Sequence, residues 1–226
     1  VLCGIAGFVF NLGVNALSTL LLGTIIGVEP HLTGSLIELP SSANFRPWLI
    51  LPVLAVGGML SGWLASRFSV DAAGGGIGVA VNAFHNRRGV ISLRTTFTKM
   101  VASIVTIGSG GSTGREGPIA MVGAGFGSWF ASRLGLTVRD RRILLAAGIA
   151  GGTAAVFHVP LAAAILAAEV FYRTPELESE VLIPSFIASI VGFTVCGLAE
   201  GAWNASMGGA SPLTASLFAP PPGIGF

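Results

Sequence analysis

Four stretches of this 226-residue chain carry no charged side chain: residues 1–28, 47–66, 143–168 and 181–199. Each is near or above the roughly 20 residues that an α-helix needs to cross about 30 Å of hydrocarbon. Soluble domains carry about 25% charged residues. Here 10% are charged and 52% are hydrophobic, with a mean hydropathy of +0.82. The bilayer is therefore the expected solvent, and the four runs read as membrane helices. Val and Ile are common, yet no segment alternates polar and apolar residues over the ~10 positions of a membrane β-strand. The fold class is all-α, a polytopic membrane protein.

Two shorter apolar runs, 100–114 and 117–132, abut the adjacent pair Arg115 and Glu116. A charged pair between two half-length apolar segments is the sequence form of broken, re-entrant helices. Basic residues supply the sidedness. Arg67, Arg87, Arg88, Arg94 and Lys99 cluster in one connection and four arginines lie in 133–142, whereas 29–46 holds two Glu and one Arg. The first two connections should face the cytoplasm. Both flank 100–132, so that segment has to re-enter or cross twice, and two half-helices meeting near Arg115 and Glu116 satisfy this. Helices are expected at about 2–26, 48–67, 76–84, 93–107, 118–134, 139–154, 161–172 and 180–198.

The chain has no initiator Met and opens inside an apolar run, so it is expected to be a piece of a longer protein. Residues 1–26 lack the basic leader of a signal peptide and read as a retained helix. Residues 1–209 read as a transmembrane domain, and the Pro- and Gly-rich 210–226 as an extracytoplasmic linker. Gly123 with Gly127, and Gly148 with Gly152, are spaced as small-residue pairs that let helix backbones approach closely.

Cys3 and Cys196 sit in apolar runs without a CxxC neighbour, and His85 and His158 are isolated in the sequence. Buried thiols, no metal site and no cofactor are expected. A net charge of +2, spread between apolar segments, offers no surface for nucleic acid.

Residues 108–118 read GSGGSTGREGP. Pro is favoured in the first position of a helix, and the preceding glycines leave backbone N–H groups unobstructed, so a helix start is expected at Gly117 and Pro118. Free N–H donors backed by the positive end of the helix dipole form an anion site. Residues 72–78, AAGGGIG, repeat this design ahead of a second short helix. Two such starts converging near the midplane would hold a dehydrated anion without a buried cation, weakly enough for it to leave. Glu116 can occupy the same N–H groups and so acts as a tethered competitor. Protonation would remove its charge and let it swing away, so pH and anion concentration would both act on the path. Intramembrane carboxylates mark such routes. The bland alternative is a charge-capped helix in which Arg115 pairs with Glu116. Arg115 is expected to hold the loop rather than touch the ion.

With its GREGP core, this segment resembles the gating-glutamate motif of the CLC chloride channel and transporter family. Residues 157–162, FHVPLA, resemble the family's F-N-A-P-L-A, and the spacing from AAGGGIG to GREGP is also similar. The similarity covers nearly the whole chain but only the amino-terminal half of a family member. It implies an integral, multi-pass protein of the cell membrane, a homodimer with a separate path in each subunit, built from two inverted repeats of which this chain is the first. It also implies that Glu116 is the gate and that Gly114, Arg115, Gly117 and Pro118 form its loop. Gly74, Gly75, Gly76 and Ile77 match the family's central anion-contacting G-S-G-I-P segment. The family serine falls at Gly75 and its proline at Gly78, so a hydroxyl donor is missing. Exchangers in the family carry a proton-relay glutamate at the position of Val170, preceded by an acid at Glu169. Valine there resembles the channels, with Glu169 as a substitute proton-path residue. The implied function is transport of small inorganic anions, chloride foremost, channel-like or weakly proton-coupled. A proton-coupled chloride antiporter is the alternative. The family's third anion-binding motif and pore tyrosine belong to the second repeat, and Tyr172 is on the wrong helix for that role.

Other readings compete. Residues 110–114 fit G-x-S-x-G, the nucleophile elbow of hydrolases, with Asp140 and His158 in the expected order, but no strand precedes Ser112, so no enzyme is expected. No stretch completes a nucleotide-binding glycine motif. A secondary transporter of small organic anions would use similar broken helices. A purely structural scaffold leaves Glu116 without a purpose.

Overall fold

The computed structural model describes residues 1–27, 46–171 and 179–206. Residues 29–45 of the acidic connection, Tyr172 and the 210–226 linker lie outside the described residues. Those described are helical, with no strand among them.

Helix α1 (Leu2–Ser18) continues as π-helical turns over Thr19–Ile26, which end at Gly27 with φ 80°. A 3₁₀ turn (Pro47–Leu49) leads into α2 (Ile50–Phe68), and a second (Val70–Ala72) leads to the short α3 (Ile77–His85). Then come α4 (Leu93–Gly108), α5 (Glu116–Arg133), α6 (Val138–Phe157), α7 (Pro160–Glu169) and α8 (Ser179–Ser206). Three helices are long and apolar enough to cross a membrane: Leu2–Ile26, Ile50–Phe68 and Glu180–Trp203.

The charge-free run 143–168 is not one membrane helix. It breaks between α6 and α7, where His158 turns left-handed at φ 58° and Val159 leaves the helical region at φ −125°, ψ 74°. Pro160 is the cause, because its ring disfavours helical dihedrals in the residue before it and suits the first position of the next helix. The coarse helix placement, with its gap between residues 154 and 161, had the break in the right place.

Helices α4 and α5 form the expected turn-back pair. With 16 and 18 residues they are about 24 and 27 Å long, more than half-spans, because the helices run on through Lys99 and Arg133. Helix α5 opens at Glu116, two residues before Pro118. Pro118 is then the third helical residue, where the missing N–H is still no loss.

Helix α6 packs against α1, α5, α7 and α8. The two glycine pairs seat it on α5: a Cβ on Gly123 would lie 2.2 Å from the Gly148 carbonyl oxygen, and one on Gly127 would lie 2.2 Å from that of Leu144. Helix α8 docks on α6 by the same means, with a Gly192 Cβ falling 2.3 Å from the Gly151 carbonyl oxygen. Around these contacts the interior is filled mainly by small residues such as Ala124, Ala150 and Ala167, with Phe84, Ile149 and Phe171 as larger blocks. Leu51, Val56, Met59 and Trp63 of α2 point outward, a face suited to apolar surroundings.

Candidate functional site

The approach to α3 needs glycine. Gly74 has φ 80° and Gly76, the residue that caps α3, has φ 94°, a region that β-carbon-bearing residues rarely adopt. No side chain caps α3 at Gly76 or α5 at Arg115, so the first N–H groups of both helices keep their donors free.

The two starts meet backbone to backbone. A Cβ on Gly117 would lie 1.9 Å from the Gly75 carbonyl oxygen, and one on Gly76 would lie 2.6 Å from that of Gly117. Both open on a cavity of about 760 Å³, lined by Gly74, Gly75 and Ile77 from one start and by Gly114, Glu116, Gly117 and Pro118 from the other. Glu116 is exposed on the wall of this cavity, beside the glycines of the other start. Among the described residues no ion pair joins it to Arg115, so the purely local charge pair is not formed.

Gly76, an expected anion contact, and Arg115, expected to hold the loop, are both off the cavity wall. Gly76 is pressed against Gly117 and the Met121 side chain instead. Arg115 caps α5 from behind, half-buried, and is not part of the wall. Glu169 ends α7, exposed and away from the cavity, while Val170 packs on the interior near Phe171.

Lys99 is the residue the sequence reading misplaced. Grouped by position with the cytoplasmic cations, it is in fact buried at 6% exposure on α4 and forms part of the cavity wall. Its Nζ donates to the carbonyl oxygens of Ala72, at 3.3 Å, and Gly74. A fixed cation therefore stands behind the first helix start, contrary to the expectation of a site made from peptide dipoles alone. The available signal was its place inside the 93–107 helix, more than a turn past Arg94.

One further expectation changes in three dimensions, while Cys196 is buried as expected. His158, isolated in the sequence, has Nε2 3.3 Å from Glu200 Oε2. Cys196 Sγ lies 3.7 Å from Glu200 Oε1, to which Asn11 Nδ2 also donates at 3.3 Å. As for the hydrolase reading, Ser112 sits in an exposed loop between two helices. Asp140 and His158 fall at opposite ends of α6, on the order of 27 Å apart along its axis, so no triad assembles.

A family profile described as voltage gated chloride channel matches residues 57–224. The chain belongs to this family. It is 32% identical over 169 residues to the H(+)/Cl(-) exchange transporter ClcA of Vibrio campbellii, covering 67% of this chain and 36% of that protein. To the voltage-gated ClC-type chloride channel ClcB of Citrobacter koseri it is 31% identical over 175 residues, covering 75% and 40%. A chloride/fluoride channel protein of Pseudomonas syringae pv. tomato is 30% identical, with 74% and 38% covered. The crystal structure of a slow cyanobacterial Cl−/H+ antiporter shares the fold, with a TM-score of 0.69 at 23% identity over 88% of this chain and 44% of that one. The chain thus spans 36–40% of the length of these curated relatives. Family and helix composition together make it an integral membrane protein.

Proposed function

We propose that the complete protein carries small inorganic anions, chloride foremost, across the membrane along a path that this chain builds from the starts of α3 and α5. The observation that carries the reading is the contact of those uncapped starts at one cavity with Glu116 on its wall. The free N–H groups at Gly74, Gly75 and Ile77 and at Gly114, Gly117 and Pro118's loop supply the anion's partners, except that Pro118 itself gives only the fixed bend. Glu116 competes for the same berth. Lys99 anchors the loop before α3 through the Ala72 and Gly74 carbonyls and adds positive potential without occupying the path. Arg115 and Gly76 act indirectly, shaping the loop and the helix contact.

Val170 in place of a relay acid, with Glu169 exposed and outside the cavity lining, favours a channel-like or weakly proton-coupled mechanism. The curated relatives include both channels and exchangers by name, so antiport is the second reading. The working unit is a homodimer with one path in each subunit. Reconstituted vesicles under an imposed chloride gradient test this: chloride flux with little proton movement is expected. Uphill proton movement would establish the antiporter, and absence of flux for chloride, bromide and nitrate alike would overturn the proposal.

Gly75 gives a separate prediction. A Cβ there meets nothing within 4 Å and the residue lines the cavity, so Gly75→Ser should fit and add a hydroxyl donor. One hydrogen bond to a charged partner is worth about 1.5 kcal/mol, so chloride affinity should rise roughly tenfold, as read by calorimetric titration.

A further inference from the structure

Away from the cavity, the elbow between α6 and α7 faces α1 and α8 with a set of polar groups that the anion path does not use. Cys196 and Glu200 are four residues apart on α8 and so share one face, a turn apart. His158 is one of the non-glycine residues held at positive φ, at 58°. Its Nε2 is buried and makes no well-aligned hydrogen bond, although Glu200 Oε2 is 3.3 Å away. The side chains of His158 and Glu200 keep 34% and 21% exposure, which leaves an approach from outside.

We propose that His158, Cys196 and Glu200 form a binding site for a zinc-like divalent cation, tying the α6–α7 elbow to α8. Their ligand atoms lie within 4.8 Å of one another. Around a tetrahedral zinc, usual bond lengths separate a nitrogen from an oxygen by about 3.4 Å and a sulfur from an oxygen by about 3.6 Å. Here Nε2 lies 3.3 Å from Glu200 Oε2 and Sγ lies 3.7 Å from the other oxygen of that carboxylate, Oε1, so the carboxylate sits between the two other ligands. Asn11, donating to Glu200 Oε1 at 3.3 Å, steadies the carboxylate from the outer shell. On binding, the Cys196 S–H bond breaks, its proton passes to solvent and a sulfur–metal bond forms. Thiolate, carboxylate and neutral imidazole then offset a 2+ charge completely, which suits a site inside a membrane protein. The fourth position remains open to water. A thiolate and an imidazole select zinc or cadmium over magnesium and calcium.

The test is titration of the complete, chelator-treated protein with Cd²⁺, following the thiolate-to-cadmium charge-transfer absorption. A saturable band is expected that loses one thiolate's intensity in Cys196→Ser and none in Cys3→Ser. His158→Gln and Glu200→Gln should each weaken Cd²⁺ binding at least ~10-fold, Zn²⁺ should compete and millimolar Mg²⁺ should not. These two variants keep Cys196, so they decide the matter even where Cys196→Ser fails to fold. No saturable band, a band that follows Cys3, or affinity unchanged in both His158→Gln and Glu200→Gln would overturn the proposal.

Discussion

Gly117→Ala in the complete protein is expected to reduce anion binding and flux by roughly 10- to 100-fold, the loss of one charge-assisted hydrogen bond of about 1.5–3 kcal/mol. The added methyl would fall 1.9 Å from the Gly75 carbonyl oxygen and 2.9 Å from its carbonyl carbon. Both are backbone atoms, so no side-chain rotation relieves the clash. The starts of α3 and α5 must part instead, and the N–H groups that face the anion part with them. Gly58→Ala is the matched control, because a Cβ at that position in α2 meets nothing within 4 Å. Both variants should remain folded and membrane-inserted. Flux in Gly117→Ala equal to that in Gly58→Ala would mean that close approach of the two helix starts is not needed for transport.

Glu116→Gln is expected to raise anion flux by roughly tenfold at pH values where the glutamate is ionised, since the proposed competitor for charge-assisted hydrogen bonds from the helix starts is removed. The sign follows from charge. On the proposed reading the ionised carboxylate competes for the N–H groups that the anion needs and the neutral acid does not, so wild-type flux should increase as the pH outside falls. Glutamine resembles the protonated acid at every pH, and the variant should be fast and nearly flat. Vesicle flux measured across a pH series in both proteins is the check. A variant whose flux keeps the wild-type pH response would assign the pH sensing to another group.

Much of this architecture was legible because it depends on short-range chemistry. The run GSGGSTGREGP places a charged pair between two apolar segments, and in three dimensions it is the loop and helix start at the tip of the α4–α5 pair. Glycine spacing marked Gly123, Gly127, Gly148 and Gly152 as packing positions, and Gly123 meets Gly148 where α5 and α6 cross. The Gly151–Gly192 contact was missed, although Ala188 and Gly192 have the same four-residue small spacing on α8 and both meet Gly151.

The errors share a different cause. Lys99 was grouped by its neighbours in sequence, but a helix turns residues 94 and 99 to different surroundings, and the carbonyls that receive its ammonium lie on another element. His158, Cys196 and Glu200 are separated by up to 42 positions (200 − 158) and meet only because α8 returns along α6. Pattern reading sees one strand of sequence at a time, so sites assembled across helices escape it. Even the start of α5 shifted by two residues, since Gly117 and Pro118 both accept helical dihedrals and let the helix begin at Glu116.

The central claim is that an anion rests where the starts of α3 and α5 meet, with Glu116 contending for a neighbouring position. Anomalous diffraction from bromide-soaked crystals of the complete protein, wild type and Glu116→Gln, tests it most directly. The account predicts a bromide peak against the backbone N–H groups of residues 74–77 in both crystals, and a further peak beside residues 114–118 in Glu116→Gln alone. Bromide absent from this cavity in both crystals, or an identical pattern with and without the Glu116 carboxylate, would contradict it.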